Sequence, residues 1–330
     1  MKKIVACLSL VLLFAALPGF TGAVLAGEIK IALDCPPDMD KCGTYVWSKT
    51  FSDVLIEKGL NVKLYPDQAL GNEDEKLDQV CQGLLEISNS YLGKAGQLEP
   101  MIFGFTLPYL FDDLAHADRM IDNTDILEKV NAGLAKHGCR VLAMVSVGAF
   151  SGLHNSKRAI KTPADMKGLR MRAMDNKQAM WFEAWGASTV IIPWAEIYNS
   201  LQTGVADGYS NPAVVPIMFK HTEVLKYFSD IRSGVPFRII LCSTDWYDGL
   251  SDKERSIIKD GVLKANAANR AWQAKVDKKG LDELKAAGVE VYTPTPEERE
   301  AFAALIRPTY GKLIDPATAE LFLKAAEANR

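Results

Sequence analysis

The chain has 330 residues, 48% of them apolar and 24% charged, with a formal net charge of −3. A mildly acidic surface without a basic stripe argues against a nucleic-acid partner, and the length suffices for two domains with separate cores. Four scattered histidines and the lack of any CxxC pair leave no metal or redox motif, so no cofactor is expected.

Lys2 and Lys3 precede an apolar run over residues 4–17, and Val24-Leu25-Ala26 places small residues where a signal peptidase cuts. A signal peptide over residues 1–26 is expected. Losing Lys2 and Lys3 with it takes 38 basic residues to 36 against 41 acidic ones, a net charge of −5. The apolar run is too short and too early for a spanning helix. IVAC (4–7) has the shape of a lipoprotein box, but no hydrophobic region precedes Cys7, so lipidation is not expected.

EIKIAL (28–33) and NVKLYP (61–66) alternate apolar with polar residues, and a helical pattern runs over 43–58 between them, which makes a β-α-β opening. Cys35 and Cys42 lie in the loop after the first strand. They read either as free thiols or as a disulfide, which in an oxidising compartment would remove roughly 2.5 kcal/mol of chain entropy from the unfolded state. Cys81, Cys139 and Cys242 sit in apolar patterns and read as buried small hydrophobes.

RVLAMVSVG (140–148) and FRIILCS (237–243) are near-continuous in apolar residues, as central strands of covered sheets are. Thr162-Pro163-Ala164-Asp165 and Thr295-Pro296-Glu297-Glu298 mark helix starts, and Ser251 with Glu254 forms a capping box that opens a long helical pattern over 252–285. No repeat, low-complexity tract or Pro/Gly-rich linker separates two halves. Two domains without a linker imply domains that exchange segments.

In the middle of the chain, MRAM (171–174) is an apolar strand interrupted by one guanidinium, Arg172. A planar five-donor fork suits both oxygens of a carboxylate. Read by itself, Arg172 fits a solvated strand edge as well.

The stretch from Leu153 to Pro212, LHNSKRAIKTPADMKGLRMRAM followed by VIIPWAEIYNSLQTGVADGYSNP, closely resembles the periplasmic solute-binding subunits of TRAP transporters, DctP type. LGNEDEKLDQVCQG (70–83), FTLPYLF (105–111) and TDWYDGLSDKE (244–254) extend the resemblance over nearly the whole exported chain. It implies an α/β two-lobed periplasmic binding protein, or Venus flytrap, with discontinuous domains and a long bridging helix. Residues 27–149 plus 237–277 would form lobe I, and residues 150–236 plus 278–330 lobe II.

In that family the second arginine of a Gly-Leu-Arg-x-Arg run, here Arg172, binds the ligand's carboxylate. The resemblance also makes Asn211 a cleft asparagine and Trp194 an aromatic residue packed on the ligand. By themselves these read as a turn residue before Pro212 and as ordinary core. Members that bind sialic acid or dicarboxylates commonly carry a further arginine where this chain has Ser151. One anion clamp is therefore missing, which disfavours a dicarboxylate.

Asp34 ends the first strand where the family often has a neutral residue or His. Facing the cleft, it would favour a cationic or hydroxyl-bearing ligand; as a loop acid, it would cap the next helix or pair with Lys41. Tyr91, Phe150, Trp194 and Tyr209 would wall an apolar side chain, while Glu73 and the polar Ser88-Asn89-Ser90 run are further cleft candidates or solvated loops.

The expected solute is thus an amino acid, a small peptide, or an aromatic or hydroxylated monocarboxylate. The resemblance implies a monomer that closes around a small organic acid and delivers it to TRAP membrane carrier subunits. Two rival classes are a ligand-binding subunit of a periplasmic sensor and an enzyme acting on a small organic acid. For the enzyme, the chain lacks GxSxG, GxGxxG, P-loop and HExxH motifs.

Overall fold

The structure, a computed structural model, describes residues 27–330; the expected signal peptide and Cys7 lie outside the described residues. Two mixed sheets organise them. The first has the order β2-β1-β3-β10-β4, from β1 (Ile29–Ala32), β2 (Val62–Tyr65), β3 (Ile87–Tyr91), β4 (Cys139–Ser146) and β10 (Phe237–Ser243). The second has the order β11-β9-β5-β8-β6-β7. Its strands are β5 (Gly152–Asn155), β6 (Arg170–Ala173), β7 (Ser188–Ile191), β8 (Gly208–Asn211), β9 (Tyr227–Ser229) and β11 (Glu290–Tyr292). Among the described residues no helix is long and apolar enough to cross a membrane.

Each sheet is threaded by one strand that arrives from the other. Within the first, β10 runs antiparallel between β3 and β4, with Arg238 opposite Tyr91 and Val145. Within the second, β5 runs antiparallel between β8 and β9. The crossing segments 147–151 and 230–236 lie side by side, joined by hydrogen bonds from Val147 N to Pro236 O, Ser151 N to Gly234 O and Ser233 N to Ser151 O.

A third connection is the helix Asp252–Ala286, whose 35 residues span about 52 Å. The capping box of Ser251 and Glu254 starts it. Its first half packs on the helix Gly43–Glu57 and on β4, and its second half reaches the helix Val214–Met218 and β11. Asn269 fixes it midway: the side chain accepts from Ser146 N and donates to Gly43 O and Ser146 O, each at 3.0 Å. Gly43 is required there, because a Cβ would collide with Ser146 O and the Trp272 ring.

Alternation along β10 divides the core of the first lobe. Phe237, Ile239 and Leu241 face a cluster with Phe105 and Phe322, whereas Ile240 and Cys242 face Trp47, Phe51 and Ile258. The second lobe packs Met171, Phe182, Trp185 and Phe302 behind β6. One domain boundary differs from expectation. Residues 278–330 were expected in lobe II, but the helix Pro316–Glu327 lies on lobe I, where Phe322 meets Phe105 edge-on and fills the space left by Gly104. His116 bonds Ala326 O at 2.8 Å in the same contact. The apolar face of that helix finds its complement on lobe I, which sequence proximity does not reveal.

Candidate functional site

The C-terminal end of β3 and the start of β10 face the ends of β6 and β8, and between the sheets lies a cavity of about 100 Å³. Tyr91, Ser151, Gln178, Ser210, Asn211 and Arg238 supply its polar lining; Trp181, Met174 and Phe237 supply apolar wall. Tyr91 spans the gap. Its hydroxyl donates to Asp175 Oδ2 at 2.7 Å, while Asp175 Oδ1 accepts from Gln178 N to cap the helix Asn176–Ala184. Burial first, then the Asp175 carboxylate, holds the Tyr91 phenol well above its ordinary range.

Arg172 is not itself part of the cavity lining, but it lies close enough to Tyr91 and Asp175, at the cleft, to feel their charge. On β6, Met171 and Ala173 point into the lobe II core, so alternation sends Arg172 to the opposite face, yet it is only 4% exposed. Its Nε donates to Ile192 O at 2.9 Å, and Nη1 has no partner. No carboxylate pairs with it among the described residues. Burial pushes its pKa down to about 10. Trp194 lies beside it, with the guanidinium carbon 5.9 Å from the ring centroid.

Asn211, the last residue of β8, is held from behind: its carbonyl oxygen lies 3.1 Å from His154 Nε2, and burial keeps that imidazole neutral by lowering its pKa to about 3. The Asn211 Nδ2 is buried without a partner. Two buried donors, Arg172 Nη1 and Asn211 Nδ2, are thus left without acceptors in the second lobe.

The first lobe presents a self-satisfied ion network. Arg238 Nη2 lies 2.6 Å from Asp34 Oδ2, and Nη1 lies 2.6 Å from Glu73 Oε1. Asn89 Nδ2 donates to Asp34 Oδ1, Lys76 Nζ donates to Asn89 Oδ1 at 3.2 Å, and Tyr91 N donates to Glu73 Oε2 at 2.8 Å. Burial works against the Asp34 carboxylate, but Arg238 and Lys76 outweigh it and hold the group below the usual range. Burial likewise opposes the Arg238 charge, and Asp34 with Glu73 more than offsets it. The cationic-ligand role expected of Asp34 is therefore corrected: its charge is engaged by Arg238. Glu73 is engaged in the same way.

Two other expected walls lie elsewhere. Phe150 packs in the core with the Arg232 guanidinium 4.4 Å above its ring, beside a smaller cavity with Pro212 and Asp277. Tyr209 is fully buried, its hydroxyl 3.0 Å from His221 Nδ1. Ser88, Asn89 and Ser90 belong to β3 itself and are buried. Cys35 and Cys42 are joined as a disulfide, and Cys42 Sγ also accepts from Tyr45 N at the start of the helix Gly43–Glu57.

Arg238, Lys76, Asp175, Gln178 and Ser210 are not evident from sequence alone. A signal for the first was present: FRIILCS breaks an apolar strand with one arginine, as MRAM does.

Residues 45–315 match the model of bacterial extracellular solute-binding protein family 7, DctP. The chain is 31% identical over 263 residues to the 2,3-diketo-L-gulonate-binding periplasmic protein YiaO of Escherichia coli K12, covering 78% of this chain and 79% of that one. It is 26% identical over 317 residues to the C4-dicarboxylate-binding periplasmic protein DctP of Vibrio cholerae, covering 92% of each. The fold is similar to that of the sugar acid binding protein DctPAm of Advenella mimigardefordensis in complex with galactonate, with a TM-score of 0.84 and 26% identity over 92% of this chain and 99% of that one.

Proposed function

Because the chain belongs to bacterial extracellular solute-binding protein family 7, the DctP family, it is a periplasmic solute-binding protein of the TRAP type, and we propose that its solute is a hydroxylated monocarboxylate of the sugar-acid kind. The observation that carries this is the buried Arg172 with no counter-anion. An uncompensated buried charge costs on the order of several kcal/mol, and a carboxylate accepting from Nη1 recovers that cost only when it is bound. Asn211 Nδ2 supplies a second donor, and Ser151, Gln178, Ser210 and Tyr91 offer groups suited to hydroxyls.

The charge balance disfavours the other classes. Arg238 lines the cavity, but Asp34 and Glu73 hold both ends of its guanidinium, so a second carboxylate has no free cation. For an ammonium group, Asp34 and Glu73 are likewise held by Arg238, and Asp175 already accepts from the Tyr91 hydroxyl and Gln178 N. The relatives that bind 2,3-diketo-L-gulonate and galactonate support the same chemistry.

The mechanism is capture by closure. A solute held by Arg172 and Asn211 on one lobe and by the β3 and β10 residues on the other stabilises the closed state, which shifts the population toward it. The closed monomer then delivers its solute to membrane carrier subunits.

The test is a calorimetric panel on refolded, ligand-free protein: aldonates, keto-aldonates, uronates, C4-dicarboxylates and amino acids. Micromolar or tighter binding, about 8 kcal/mol or more, is expected for at least one monocarboxylic sugar acid and is lost in Arg172→Ala. Binding of amino acids or dicarboxylates with no sugar acid among the hits would overturn the assignment.

A further inference from the structure

We propose that Cys81 and Cys139 form a second disulfide in the exported protein, made by exchange with a protein or small-molecule disulfide in the periplasm. Cys81 is the last residue of the helix Glu73–Cys81 and Cys139 the first of β4, yet their sulfurs lie 3.2 Å apart. The backbones already touch. Gly138 holds a φ of +76°, and a Cβ there would collide with the Cys81 carbonyl oxygen, so the turn into β4 lies directly against the helix end. Little backbone movement separates this arrangement from a bonded pair.

Access is graded in the way exchange requires. Cys81 is half-buried and reachable, whereas Cys139 lies buried beneath it. The hydrogen bond with Cys139 holds the Cys81 thiol below its ordinary range, and the same bond pushes Cys139 up, which makes Cys81 the attacking thiolate.

The step balances. Cys81 Sγ attacks one sulfur of the oxidant's disulfide and expels the other as a thiolate, giving a mixed disulfide. Cys139 Sγ then attacks Cys81 Sγ and releases the first. The chain gives up two electrons and two thiol protons, and the oxidant leaves as two thiols. The same chain already carries Cys35–Cys42 as a disulfide. The new bond would tie down the C-terminal end of the helix whose first turns carry Glu73 and Lys76, opposite the end that Arg238 holds.

The exported protein is incubated with oxidised glutathione, denatured, alkylated without reduction, digested and mapped by mass spectrometry. A peptide pair joined through Cys81 and Cys139 is expected, with Cys242 alkylated. In Cys139→Ala, which removes the resolving thiol, Cys81 should instead retain glutathione. Oxidised wild type should also melt several degrees above that variant. Alkylation of both Cys81 and Cys139, glutathione retained on Cys81 in the wild type, or a link from Cys81 to Cys242 would each overturn the proposal.

Discussion

Tyr91 and Asp175 meet across the cleft, one at the end of a first-sheet strand and the other at the start of a second-lobe helix, through a 2.7 Å hydrogen bond. Gly93 makes room for it, since a Cβ there would press on the Tyr91 ring and on Asp175 Oδ2. A bond between the lobes requires them to lie together, as they do here.

Tyr91→Phe is accordingly expected to weaken solute binding about tenfold, the value of one hydrogen bond to a charged group, with little change in the unfolding midpoint of the ligand-free protein. Calorimetry and small-angle scattering check this together: the variant should sample a more open shape without ligand. An unchanged dissociation constant would remove this bond from closure.

Arg172→Met should separate stability from function. The charge is buried without an ion pair, and within the protein it forfeits one bond to Ile192 O and its place over the Trp194 ring. Replacing such a cation by an apolar side chain of similar length commonly raises stability by about 1–3 kcal/mol. The ligand-free midpoint should rise by a few degrees while stabilisation by any acid vanishes. A lowered ligand-free midpoint would mean that the guanidinium has an internal partner.

Arg238→Ala is expected to behave in the opposite sense, because it strands Asp34 and Glu73. Breaking one partner out of a buried pair costs about 3–5 kcal/mol. In the wild type the folded pKa of Asp34 is depressed, so its contribution is fully present above the unfolded value of 3.8 and is lost as pH falls below it. In the variant, loss should begin at higher pH. Urea unfolding of both proteins between pH 3 and 7 tests this, and parallel profiles would contradict it.

His154 predicts a second acid weakness at milder pH. Its folded pKa, about 3, lies below the usual 6.5, so from pH 6.5 downward the unfolded chain takes up a proton that the folded chain refuses. Stability is therefore lost as pH falls, by about 2 kcal/mol between pH 7.5 and 5 for this one group. His221, lowered to about 4 by burial and by Arg172, adds in the same direction. His154→Phe, whose ring can pack with Phe228 and Tyr209, should flatten the profile by its share. An unaltered slope would show that other groups set it.

Asn269→Leu removes three hydrogen bonds that pin the bridging helix and takes the side-chain partner from Ser146 N, Ser146 O and Gly43 O in the interior. A loss of about 2–4 kcal/mol is expected by denaturant unfolding. A loss below about 1 kcal/mol would mean that water replaces the amide.

The sequence makes the local architecture legible. β1, β2 and β10, the helix Gly43–Glu57 and the bridging helix all follow from alternation, apolar runs and caps. At Pro163–Met166 the capped start yields one 3-10 turn, because the chain enters β6 four residues later. What escapes is long-range. Nothing near Phe322 announces Gly104, and nothing near Asp34 announces Arg238, 204 positions on, although that pairing reverses the role a lone cleft carboxylate would suggest. Ser88, Asn89 and Ser90 read as cleft contacts or as a solvated loop, and not as part of β3, because their polar run breaks the apolar pattern of a strand. Phe150 and Tyr209 are plausible walls by residue type, but their facing is set by the crossing segment and by the β8 register.

The place of β10 also governs the order of assembly. A chain synthesised as far as β9 holds β1, β2 and β3 on one side and β4 on the other, with the strand between them still missing until residue 243 has emerged. The second sheet waits longer for β11, and Gly104 waits for Phe322. Contacts of such high sequence separation form slowly and late. An incomplete chain therefore has no finished lobe.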